Sequence, residues 1–183
     1  MDRYWLLTWT TYGTWLPGDE RGFVSNVANA QRVGERHNTP GSECDADMPA
    51  LQQWMQQRLV GGPLRLNRIQ AEALLAQFQE TARYRGWELL AVAVMANHVH
   101  LVVGVKGDPE PADLLRDFKS YGSRALNRQS GKPASGTWWT ESGSRRKLPN
   151  SDAVHGAVHY VKEQEYPLIV WIASSASGAS APC

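Results

Sequence analysis

The sequence predicts an α+β sandwich, a mostly antiparallel sheet with helices packed on one face. Three features carry that expectation. The chain opens on an aromatic and Thr-rich β-type segment, and its middle holds two apolar β-type segments joined by a two-residue turn. Amphipathic helical patterns lie between and after them, so strands and helices alternate in the manner of a two-layer α+β domain.

Residues 3–12 read as the first strand, and Gly13 followed by Pro17-Gly18 stops it. From Asn26 to Pro49 the chain is rich in Asn, Gly, Ser, Asp and Pro. With a short helix at 50–60 and the breaker Gly61-Gly62-Pro63, this makes 26–63 a loop-rich insertion. A helix follows from Asn67 to about Arg83, with Ile69, Ala73, Leu74 and Phe78 at helical spacing and Gly86 ending it. Segments 87–95 and 98–105 form a hairpin around Ala96-Asn97, because Asn tolerates the left-handed backbone of a tight turn. A second helix runs from Pro111 to Arg128, with Asp113 in its first turn. Residues 129–150 read as a polar loop, and Ser151 caps a third helix over 152–163. A last strand at 168–172 and an Ala/Ser/Gly tail at 173–183 complete a single domain spanning 1–172.

Bulk properties narrow the function classes. The 183 residues carry a net charge of +1, so any nucleic-acid contact requires basic residues gathered locally. Cys44 and Cys183 stand far apart with no C-x-x-C pair, which excludes a zinc ribbon or a disulfide framework. The longest apolar run, Leu89 to Ala96, is too short to span a bilayer. With no signal-peptide pattern after Met1, a cytoplasmic protein without membrane contact is expected.

The chemistry-bearing residues cluster in the second half. On a strand, His98 and His100 point to one face while Val99, Leu101 and Val103 point into a core. Two such imidazoles, about 7 Å apart along the strand, are either polar residues on a wet sheet face or a preset pair of metal ligands. On the second helix Leu114, Leu115, Phe118, Gly122, Ala125 and Leu126 make the apolar stripe, with Tyr121 at its edge. Asp117, Arg124 and Arg128 share that flank. Beside a metal, a tyrosine hydroxyl is a competent nucleophile toward a phosphoryl group. Residues 110–150 hold eight Lys/Arg against four acids. Lys119, Arg124, Arg128, Arg145, Arg146 and Lys147, interleaved with Tyr121, Trp138 and Trp139, suit a single nucleic-acid strand whose bases stack on rings.

The block Met95-Ala-Asn-His-Val-His-Leu-Val-Val103 resembles the His-hydrophobe-His block of the single-tyrosine HUH transposases, particularly the REP-associated tyrosine transposase group. Phe118-Lys-Ser-Tyr-Gly-Ser-Arg-Ala-Leu-Asn127 is similar to that family's nucleophile helix, with Tyr121 in the tyrosine slot. The opening Thr8-Trp-Thr-Thr-Tyr-Gly-Thr-Trp-Leu-Pro-Gly18 and the Trp139–Ser144 segment resemble a subgroup, so the likeness runs in order through most of 4–170. The resemblance implies a ferredoxin-like sheet and cleavage and rejoining of single-stranded DNA at hairpin or palindromic ends. It further implies a 5′-phosphotyrosine on Tyr121, Mg²⁺ or Mn²⁺ held by His98 and His100, and a homodimer. In the wider superfamily a third ligand often sits one turn after the tyrosine, and here that position is Ala125. Asp117 is the candidate third ligand, with Glu141 or a water as alternatives.

Two other readings compete. His155 and His159, at i and i+4 on the third helix, can join His98 and His100 in a zinc hydrolase, although the helix lacks a zinc protease's Glu. A sheet with exposed Trp and Tyr can also be a nucleic-acid-binding module that does not cut.

Overall fold

A computed structural model describes residues 1–16 and 49–174. The expected loop over 26–48, both cysteines and nearly all of the expected tail therefore lie outside the described residues. The described elements are β1 (Arg3–Thr10), α1 (Pro49–Gln57), α2 (Arg68–Arg85), β2 (Glu88–Val94), β3 (His98–Val105), α3 (Pro111–Ser130), β4 (Ser144–Leu148), α4 (Ser151–Lys162) and β5 (Ile169–Ile172). The strands form one five-stranded sheet in the order β4-β1-β3-β2-β5, antiparallel at every pairing. Its first four strands with α2 and α3 reproduce the β-α-β-β-α-β arrangement of a ferredoxin-like fold. The expected α+β class is therefore the observed one.

Local chemistry sets the element ends. Asn67 and Gln70 exchange side-chain bonds to each other's backbone N–H, closing a capping box at the start of α2. Gly86 ends α2 in the left-handed conformation at φ 67°. Ile69, expected in the apolar stripe, is instead exposed, while Gln70 and Gln77 are buried. Their amides are satisfied by Ser130 Oγ at 3.0 Å and by the Arg128 guanidinium at 2.9 Å. The cap of α4 is Asn150, which accepts from Ala153 N, rather than the expected Ser151.

Two corrections matter for the site. The polar loop expected over 129–150 contains β4, an edge strand whose Ser-Arg-Arg-Lys run shows no apolar alternation because solvent takes both its faces. The helices also occupy both faces of the sheet. On one face Leu7, Trp9, Val99, Leu101 and Val103 pack with Leu74 and Phe78 of α2 and Leu114, Phe118 and Leu126 of α3. On the other, Leu6, Ala91, Ala93 and Val102 pack with Ala157 and Val161 of α4. Apolar residues at both parities of β1 and β3 require cover on both sides, which two helices on one face cannot give. The α2–α3 approach is close at Gly122, where a Cβ would stand 3.1 Å from Leu74 and 3.2 Å from Phe78.

Candidate active site

β3 lies between β1 and β2, and its even-numbered residues face α4. His98 and His100 therefore open onto the α4 side, sharing that face with Leu6, Thr8 and Val102. Their rings meet edge to face with centroids 4.7 Å apart. Each Nδ1 has a fixed partner: Thr8 Oγ1 lies 2.7 Å from that of His100, and Asn97 Oδ1 lies 2.7 Å from that of His98. The Thr8 contact follows from register, since Thr8 and His100 sit opposite each other across β1 and β3. His100 is buried, and that burial pushes its pKa down to about 4. The neighbouring His98 charge adds to the effect, and a hydrogen bond with Gln164 opposes it. The imidazole is thus neutral near pH 7, the form that ligates metals.

α4 brings a phenol to this pair. The Tyr160 ring stacks edge-on to His100 at 5.1 Å, with its hydroxyl 3.5 Å from Nε2. Tyr160 is 48% exposed, while the imidazole it packs on is buried. One turn later, Gln164 donates from Nε2 to the Tyr160 carbonyl at 2.9 Å. The opposite end of the amide, Oε1, is the end able to accept from a protonated imidazole. Two imidazoles oriented through Nδ1 and an amide oxygen beside them fit a divalent cation completed by water and phosphate oxygens.

Tyr121 is not part of this cluster. It lies on α3, whose stripe packs on the opposite face, so the sheet separates it from the imidazoles. The Arg124 guanidinium sits 5.0 Å from its ring centroid. Asp117, on the same helix, is bound to Arg85 at 2.7 Å, so it supplies no ligand on the α4 face. Glu141, the other carboxylate considered, lies beside Lys119 in the 139–143 loop region on the α3 side. Among the described residues no group of three or more His, Cys, Asp or Glu can hold a metal, which removes the four-His and three-His zinc reading. His155 and His159 are exposed on α4.

The expected nucleic-acid contacts divide. Lys119 is used internally: its ammonium donates to the carbonyls of Thr140, Glu141 and Ser142 at 2.5, 3.0 and 3.1 Å. Burial pushes its pKa down to about 8, opposed by the Glu141 charge. Arg128 is tied to Gln77. Trp138 and Trp139 are core residues, with indole N–H groups bound by Asn127 Oδ1 and the Lys119 carbonyl. That leaves Arg124 and the exposed trio of β4. Arg146 pairs with Leu6 and so shares the imidazole face. Arg145 and Lys147 have the other parity, and Arg145 lines a groove with Arg116 and Ser120 of α3.

Tyr160 and Gln164 were missed by sequence reasoning, although a signal for them existed. A tyrosine followed one turn later by an amide occurs at 160 and 164, whereas the turn after Tyr121 ends in Ala125.

A family profile described as "Transposase IS200 like" matches residues 65–164, more than half of the chain. No curated protein matches by sequence. Among solved structures, a REP-associated tyrosine transposase bound to a REP hairpin aligns at 14% identity and a TM-score of 0.46. That alignment covers 87% of this chain but only 64% of the other. A protein assigned as a transposase from Deinococcus radiodurans R1 aligns at 16% identity and a TM-score of 0.47, covering 91% of this chain and 94% of its own. Among the described residues no helix is long and apolar enough to cross a membrane.

Proposed function

Because the chain belongs to the IS200-like transposase family, we propose that it cleaves and rejoins single-stranded DNA at hairpin-bearing ends with Tyr160 as the nucleophile. His98, His100 and Gln164 are the residues that hold a divalent cation, Mg²⁺ or Mn²⁺. One observation carries this reading: Tyr160 in the last turn of α4 and Gln164 just beyond its end converge on His100 of β3. Gln164 also stands one turn after Tyr160, the spacing at which the family resemblance often implies a third ligand. Homodimerisation belongs to the same reading, on the family resemblance.

The Tyr160 oxygen attacks the phosphorus, forming a phosphotyrosyl bond as the bond from phosphorus to the 3′-oxygen breaks. The phenolic proton leaves through the solvent-exposed side of Tyr160, and the departing 3′-oxygen gains one to become a hydroxyl. A cation held by the imidazoles supplies charge stabilisation to the phosphoryl oxygens. Arg146 pairs with Leu6 on the same face, which supports a role in holding a flanking phosphate. The phosphotyrosyl bond conserves the energy of the broken one, so a 3′-hydroxyl reverses the step without ATP.

Covalent capture tests the reading. Labelled single-stranded hairpins from the DNA flanking the gene, incubated with the protein and Mn²⁺, are expected to give an adduct that survives denaturing electrophoresis. A gel shift that disappears on denaturation, with no adduct on any hairpin, identifies a binding module and sinks the assignment.

Thr8 is a positioning residue in this scheme. Thr8→Val removes the partner of His100 Nδ1 and is expected to lower Mn²⁺ affinity about 10- to 100-fold by calorimetry. Thr8→Ser keeps the hydroxyl and restores most of it, while a purely packing role predicts the opposite ranking.

A further inference from the structure

Between Gln164 and β5 the chain carries a conformation at odds with its sequence. Tyr166 has φ 54° and is the one non-glycine among the described residues with positive φ. At seven other described positions where φ is positive, the residue is glycine. A Cβ makes the left-handed region costly. The following residue is Pro167, whose ring drives its predecessor toward extended backbone, so the conformation is disfavoured twice. Packing does not offset this, because Tyr166 is 92% exposed. A turn needed only for connection is served better by glycine.

The strained residue is pinned at the rim of the site. Upstream, Gln164 is bound to the Tyr160 carbonyl. Downstream, the Leu168 N–H donates to Val94 O at 2.9 Å, and its carbonyl accepts from Arg68 at 2.6 Å. Val94 pairs with Val99, the residue between the two histidines. The surroundings therefore hold a bare aromatic ring outward, a few residues from the nucleophile along one short connection. Strain of this kind persists where the surroundings over-determine it, and it clusters at ligand-binding sites. Glu165 precedes the ring in the chain and Glu163 is paired with Lys162 at 3.9 Å, so the segment offers no free cation of its own for a phosphate, and what the ring suits is a planar, uncharged face.

We propose that Tyr166 is a stacking platform for an unpaired nucleobase next to the scissile phosphate. The proposal rests on the single-stranded DNA reading above, and it adds a base contact on the substrate strand. Its test is the binding of fluorescently labelled single-stranded hairpin DNA in a Tyr160→Phe background, which cannot cleave. Added Tyr166→Gly is expected to weaken binding roughly 5- to 150-fold, the range for loss of one base–aromatic stack. The same change is expected to leave the melting temperature equal or higher, since glycine removes the strain. Tyr166→Phe and Tyr166→Trp should bind like the parent, and the dependence of affinity on salt should not change, because no phosphate contact is lost. Unchanged binding by Tyr166→Gly overturns the proposal, as does loss of binding accompanied by loss of stability. A parent protein with no affinity for any single strand overturns the functional reading itself, a distinguishable result.

Discussion

Tyr160→Phe is expected to abolish the covalent DNA adduct, with strand cleavage falling by roughly 10³-fold or more, the scale for loss of a nucleophile. Tyr121→Phe is expected to leave it intact. The pair of variants is decisive because both tyrosines lie on helices packed against one sheet, but on opposite faces of it. Tyr160 presents its hydroxyl 3.5 Å from His100 Nε2, whereas Tyr121 keeps company with Arg124. Tyr160→Phe removes only an oxygen from a half-exposed ring, so the fold and DNA binding are expected to survive. An adduct retained by Tyr160→Phe and lost by Tyr121→Phe would mean that α3 reaches the imidazoles of a second copy of the chain. It would move the nucleophile back to Tyr121.

Much of this arrangement was legible beforehand, and the failures have definite causes. The helices α2 and α3 and the shared face of His98 and His100 follow from local periodicity, and the hairpin turns at Ala96-Asn97 as expected, although neither residue takes the left-handed backbone expected of that turn. β4 escaped because an edge strand of Arg and Lys carries no hydrophobic signal. The separation of Tyr121 from the imidazoles follows from a parity that the sequence does contain. The stripe of α3 covers the core formed by Val99 and Leu101, so a tyrosine bordering that stripe stands on the far side from His98 and His100. The doublets Leu6-Leu7 and Val102-Val103 signal that both faces are covered, which calls for another helix opposite α3. What the sequence does not encode locally is contact between distant elements. That Thr8 orients His100, or that Lys119 is spent on three loop carbonyls, depends on register and approach across the whole domain.

The division of labour between the faces leads to the second large effect. Phe118→Ala is expected to cost about 3–5 kcal/mol of folding stability, read as a lowered urea midpoint. Phe118 is fully buried, edge-to-face with Phe78 at 5.7 Å and tilted against Trp87 at 5.4 Å. Its removal opens a cavity among residues too tightly packed to close over it. The imidazoles stand on the other side of the sheet, against a separate cluster built on Ala157 and Val161. Mn²⁺ affinity of the folded protein should therefore stay within about 2-fold of the parent, since distant sites with no shared partners act independently. Phe118→Leu, with a smaller loss of volume, keeps the comparison available if the alanine variant does not fold. Mn²⁺ affinity that falls in step with stability across the two variants would show that the sheet transmits the α3 side's packing to the imidazoles. The two faces would then act as one cooperative unit, with α3 needed for the geometry of a site it does not touch.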